Sequence, residues 1–157
     1  VTLIGHSSGG VMLRVYLSED KFGNRIYNGK QYCNNLITLG SPHQAKRSTP
    51  LRAMVDKKYP GAYFFETVNY ISVGGKLDLN SKCASKLSKR ISKKSYKSIT
   101  DSSLEEGDGL VPLSSSLLEG SHKIIINHTS HSQIFGDKWY GSTIKINEWW
   151  TEINKVR

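Results

Sequence analysis

The sequence predicts an α/β fold built on a mostly parallel sheet with flanking helices. Three observations carry that prediction. A short run of strand formers, Val1-Thr2-Leu3-Ile4, passes straight into a glycine-rich turn and then an amphipathic helical pattern. Further short apolar runs, Asn35–Leu39 and Val68–Val73, are separated by helical segments, the spacing that βαβ units require. Both runs end in Gly- or Ser-containing turns, as strands do at the active edge of a parallel sheet.

The opening turn reads Gly5-His6-Ser7-Ser8-Gly9, which fits G-x-S-x-G. Between a strand and a helix this is the nucleophile-elbow context, in which the serine sits on a sharp turn with its hydroxyl exposed. Glycines are expected where the chain passes close to itself. The amide of Ser8 would face a developing oxyanion, and the helix N-terminus adds partial positive charge. A turn that merely caps a helix through Ser7 or Ser8 is the competing reading. Met12, Leu13, Tyr16 and Leu17 at helical spacing favour the elbow, with its helix over about Ser8 to Ser18.

Two turn-prone stretches follow, around Gly23-Asn24 and Asn28-Gly29; either a hairpin closed at Asn28-Gly29 or a surface loop is expected. Asn35–Gly40 is the second strand, ending in Ser41-Pro42-His43, where His43 either lines the site or is a satisfied loop residue. Pro50 starts a short helix that reaches about Lys58 before Tyr59-Pro60-Gly61. Tyr63, Phe64 and Phe65 are read as core or acyl-pocket lining. Val68–Val73 is the third strand, closed by Gly74-Gly75.

Residues 76–100 form a basic insertion, with Lys82, Lys86, Lys89, Arg90, Lys93, Lys94 and Lys97 and a thin apolar stripe of Leu87 and Ile91. A surface helix or a disordered insertion both fit. Glu106–Pro112 then makes a rigid turn with Asp108 between two glycines. The last strand, Lys123–Asn127, leads into His128-Thr129-Ser130-His131. A helix from about Ser142 to Lys155 closes the chain, with Ile144, Glu148, Trp149 and Ile153 expected on one buried face.

Bulk properties restrict the reading. The 157 residues are enough for one domain with a core, and neither a repeat nor a second domain is visible. No apolar run approaches a membrane span and no signal peptide is visible, so a cytoplasmic setting is expected. Cys33 and Cys83 are too few for a disulfide framework and are read as free thiols. Lys and Arg number 22 against 13 Asp and Glu, a net charge of +9. No nucleic-acid motif accompanies it, so no nucleic-acid partner is expected; peripheral contact of the stretch 82–97 with an anionic membrane is the alternative to a solvated face. No metal or cofactor is called for.

Serine at an elbow, aspartate in a turn and histidine beyond the last strand occur in the order Ser…Asp…His. Ser7 is a poor nucleophile until a base takes its proton, and histidine, with an ordinary pKa of about 6.5, is suited to that. An aspartate would fix the imidazole tautomer and stabilise the imidazolium. Asp108 is favoured over Asp101, Glu105 and Glu106 because its flanking glycines make a tight turn. His128 and His131 both remain candidates for the base. His122 is read as structural or exposed, and His6 as a residue that shapes the pocket.

Seven segments together resemble a family. GHSSGG (5–10), LITLGSPH (36–43), YPGAYF (59–64), YISVGGK (70–76), SYK (95–97), GDGLVPLSSSLLEG (107–120) and the pair HS and WYGS within 131–142 are similar to the lipase-like α/β-hydrolases of cyanobacteria and plants, relatives of the PGAP-type GPI-inositol deacylases. The resemblance implies the C-terminal part of an α/β-hydrolase fold without the family's N-terminal strands. It implies Ser7 as nucleophile, Asp108 as acid, His131 rather than His128 as base and Ser8 as an oxyanion donor. The function implied is cleavage of a carboxylic, acyl-lipid ester through an acyl-enzyme, without a cofactor. A thioesterase or acyltransferase with the same triad, and an inactive truncated fold serving as a binding module, are the alternatives.

Overall fold

In the computed structural model, which describes residues 1–82 and 84–156, the core is a four-stranded parallel sheet. Cys83 lies outside the described residues. In chain order the elements are β1 (Thr2–His6), α1 (Ser8–Leu17), β2 (Lys21–Phe22), β3 (Arg25–Ile26), β4 (Asn35–Leu39), α2 (Pro50–Lys58), β5 (Asn69–Lys76), α3 (Lys86–Thr100), α4 (Leu113–Ser116), β6 (His122–Asn127) and α5 (Thr143–Lys155). The sheet order is β1-β4-β5-β6, each strand parallel to its neighbour. Parallel neighbours need crossovers, which α1, α2 and α3 supply.

A parallel sheet is buried on both faces, and alternate residues divide between two clusters. Ile37, Leu39, Ile71, Val73, Ile124 and Ile126 point to α5, where Trp149 and Ile153 meet them. Leu36 and Tyr70 point the other way, to Leu17 of α1 and to Phe64, Val68 and Leu118. Helix ends follow local chemistry: Pro50 occupies the first turn of α2 behind the Thr49 cap, and Ser85 caps α3 through the Ser88 amide.

Several expected elements are corrected by tertiary packing. The hairpin β2–β3 closes at Gly23-Asn24, with Gly23 at φ +61°, not at Asn28-Gly29. β5 runs through Gly74 and Gly75 to Lys76, because both glycines accommodate neighbours: a Cβ at Gly74 would lie 2.6 Å from Leu113 Cδ2, and one at Gly75 2.9 Å from the Tyr140 hydroxyl. In α3 the buried stripe is Ser88, Ser92 and Tyr96, while Leu87 is exposed and Ile91 half-buried. In α5 it is Lys145, Trp149 and Ile153; Ile144 and Glu148 are not on it, and the Lys145 ammonium reaches the Asn127 carbonyl and Glu148. Tyr63 and Phe65 are exposed and Phe64 is core; all three precede the amino end of β5, the edge opposite Ser7, and so line no pocket at the site.

Candidate active site

Ser7 stands between β1 and α1 with φ 55° and ψ −132°, a conformation that costs a non-glycine residue on the order of 1–3 kcal/mol. Its surroundings hold it there. The Ser7 amide donates to Leu39 O at 3.0 Å, and its carbonyl accepts from the Gly10 amide at 3.2 Å. Gly5 has no room for a side chain, since a Cβ would lie 2.6 Å from Gly10 N. The second tight position is Gly10, not Gly9: a Cβ at Gly10 would strike Ser41 Oγ and lie 2.9 Å from Thr38 Cγ2, whereas one at Gly9 meets nothing within 4 Å. Ser8 is exposed, and as the first residue of α1 its amide has no intrahelical acceptor.

Three chain segments meet at the carboxyl edge of the sheet. The Ser7 hydroxyl lies 3.0 Å from His131 Nε2, and His131 Nδ1 lies 2.9 Å from Asp108 Oδ2. Asp108, 1% exposed, is held by its own turn: Oδ1 accepts from the amides of Leu110 at 3.0 Å and Val111 at 2.8 Å. An Asp108 carboxylate at Nδ1 fixes that nitrogen as the donor, so the lone pair of Nε2 faces the Ser7 hydroxyl. The backbone is tied as well, the His131 amide donating to Asp108 O at 2.8 Å.

Two further residues brace this chain. His6 Nε2 donates to the His131 carbonyl at 2.8 Å, with its ring 4.8 Å from the His131 ring. Burial first, and the neighbouring His131 second, push the His6 pKa down, while the bond to the His131 carbonyl opposes them. Tyr140, 1% exposed, accepts from the Gly75 amide at 2.7 Å and donates to Asp108 Oδ2 at 3.0 Å. Burial, and then the Asp108 charge, raise its pKa well above the usual tyrosine value, so it acts as a donor. Trp149 Nε1 holds the Tyr140 carbonyl at 2.9 Å, tying α5 to the site. Gly40, at φ +53°, leaves the space Asp108 Oδ2 and Tyr140 occupy. Sequence reading missed Tyr140; its trace was the glycine pair inside a strand, the mark of a close approach.

The other candidates lie elsewhere. His128, at φ 50°, is exposed beside a cleft of about 400 Å³ shared with Lys76, Tyr96 and Glu106. Asp101 ends α3 and pairs with Lys46, Glu106 pairs with Lys76, and Glu105 accepts from Ser114. His122 is exposed at the start of β6. His43 is fully buried, its ring between Thr38 Oγ1 at 3.0 Å and the Arg14 guanidinium at 3.5 Å. Among the described residues no cluster of side chains is suited to hold a metal. Compared with known protein families and curated proteins, the chain matches no family model and no curated sequence. No helix among the described residues is long and apolar enough to cross a membrane.

Proposed function

We propose that this chain is a serine hydrolase of the α/β-hydrolase type that cleaves carboxylic esters. The observation that carries the proposal is the continuous hydrogen-bonded line from the Ser7 hydroxyl through the His131 ring to the Asp108 carboxylate. The Ser7 oxygen attacks the ester carbonyl carbon as its proton passes to His131 Nε2, and Asp108 stabilises the imidazolium. The carbonyl oxygen, now an anion, is met by the Ser8 amide at the start of α1. Collapse breaks the bond to the alcohol, which leaves with the proton from His131 and an acyl group on Ser7. A water molecule, deprotonated by the same nitrogen, then attacks the acyl-enzyme, releases the acid and restores Ser7. The same reading includes a reducing, cytoplasmic setting, the default for a chain with only two cysteines.

A fluorophosphonate probe tests it. The protein is expected to be labelled on Ser7, to hydrolyse short-chain p-nitrophenyl esters, and to lose both in Ser7→Ala. Labelling that survives Ser7→Ala overturns the choice of nucleophile. A folded protein that neither labels nor hydrolyses overturns the enzyme reading in favour of a binding module.

A further inference from the structure

Helix α3 carries its cations on one side and the site's loops on the other. At about 100° per residue, Lys86, Lys89, Arg90, Lys93, Lys94 and Lys97 fall within an arc of about 140°. All six are exposed, and none forms a salt bridge to a described carboxylate. No acidic residue occurs from 79 to 100, so nothing within the helix neutralises them. The opposite stripe is attached to both loops of the site. The Ser95 hydroxyl donates to Leu110 O at 2.7 Å, and the Tyr96 hydroxyl accepts from the Gly109 amide at 2.8 Å, both in the Asp108 turn. The Ser88 hydroxyl donates to Phe135 O, which also receives the Ser85 amide at 3.0 Å, in the loop that carries His131.

We infer that the outer face of α3 is a docking surface for an anionic lipid headgroup layer, tied through the helix's inner stripe to both loops of the site. Charge complementarity gives the attraction. An exposed apolar tip gives the contact its character: Leu87, 39% exposed, lies next to Lys94 in helical projection, at the edge of the cationic arc. Cations beside an isolated apolar tip suit a headgroup layer with hydrocarbon beneath it. Single-stranded nucleic acid calls for exposed aromatic platforms, and the one aromatic of α3, Tyr96, is buried. The inference rests on the ester-hydrolase reading for its use and narrows the substrate to an acyl ester presented at a charged lipid surface; the docking itself does not require catalysis.

The experiment is vesicle sedimentation of the Ser7→Ala protein, which separates docking from turnover. Binding is expected to vesicles holding about one-third phosphatidylserine in phosphatidylcholine, to be absent on phosphatidylcholine alone, and to be lost at about 0.5 M salt. The quadruple variant Lys89→Gln, Arg90→Gln, Lys93→Gln, Lys94→Gln, at exposed positions, is expected to lose about 1,000-fold in partitioning. It is expected to keep its helical circular dichroism and its hydrolysis of a dispersed short-chain ester in the Ser7 background. Partitioning unchanged in the quadruple variant, or equal on neutral and anionic vesicles, overturns the inference. Duplex DNA that competes the protein off the vesicles overturns it in favour of a general polyanion surface. Failure of the ester assay with vesicle binding intact would sink only the hydrolase reading.

Discussion

The Tyr140 hydroxyl and His131 Nδ1 converge on one oxygen of Asp108, at 3.0 and 2.9 Å. The Gly75 amide can only donate, so the hydroxyl accepts from it and its single proton goes to Asp108. With the Leu110 and Val111 amides on the other oxygen, all four acceptor positions of the buried carboxylate are filled. Such a carboxylate cannot rotate away from the imidazole without giving up four bonds. In the proposed mechanism Tyr140 is thus a positioning residue: it touches Asp108, not the reacting atoms.

Replacing Tyr140 with phenylalanine keeps the ring among its core neighbours and removes only the oxygen. It leaves the Gly75 amide and one Asp108 lone pair without a partner, a loss on the order of 1–3 kcal/mol in stability. In ester hydrolysis kcat is expected to fall about tenfold with KM nearly unchanged, because no substrate contact is lost. Stopped assays over a range of ester concentrations measure both. An unchanged kcat in a stably folded variant would remove Tyr140 from the mechanism.

Asp108→Asn retains shape and reverses logic. With its carbonyl kept for the Leu110 and Val111 amides, the new NH2 faces His131 Nδ1 and makes that nitrogen an acceptor. The ring proton then sits on Nε2, facing Ser7, and the base is disabled; kcat is expected to drop by about 10⁴. Glu105→Gln and Asp101→Asn, both away from His131, are expected to leave kcat within about twofold. A large loss in either, measured with the same ester, would move the acid elsewhere.

The parallel sheet was legible because buried strands leave continuous apolar runs, and the meeting of Ser7, Asp108 and His131 because each follows such a run or sits in a glycine-bounded turn. What stayed hidden was set by packing between distant segments. β5 continues through Gly74-Gly75, a pattern that reads locally as a strand end, because the space above those residues is taken by Leu113 and Tyr140. The serine stripe of α3 was invisible because helix periodicity is read from apolar residues, and Ser88 and Ser95 are inward for their hydrogen bonds to loop carbonyls. Lys145 is buried for the same kind of reason, its ammonium ending on the Asn127 carbonyl.

The glycines of the elbow make a prediction that opposes the letter of the motif. Gly9 lies inside α1 with open space where a Cβ would go, so Gly9→Ala is expected to raise stability by about 0.5–1 kcal/mol through helix propensity. Gly10→Ala drives a methyl into Ser41 and Thr38 across the contact between α1 and β4, costing about 1–3 kcal/mol. Urea unfolding of the two variants is the measurement. Equal destabilisation by both would show that the backbone at Gly9 carries a constraint other than space.

His43 makes stability decline in acid. The guanidinium of Arg14 can only donate to Nδ1, so the proton of the neutral ring sits on Nε2, toward Thr38. Burial first, then the positive charges of Arg14 and Arg52, hold its pKa well below 6.5. The sign follows from proton counting. Below about pH 6.5 the unfolded chain takes up a proton on this histidine while the native protein does not, so this share of stability is intact above that pH and declines as pH falls. The slope reaches about 1.4 kcal/mol per pH unit for one proton. His6, also lowered, adds to the same trend, so the wild-type slope alone does not isolate His43. His43→Gln does: its carbonyl can face Arg14 and its amide Thr38, and it carries no titrating proton. Urea unfolding between about pH 7.5 and 5 is expected to give a shallower decline for the variant than for the wild type, by up to one proton's worth. Parallel slopes would mean that the native protein takes up a proton at His43 beside Arg14 as readily as the unfolded chain does.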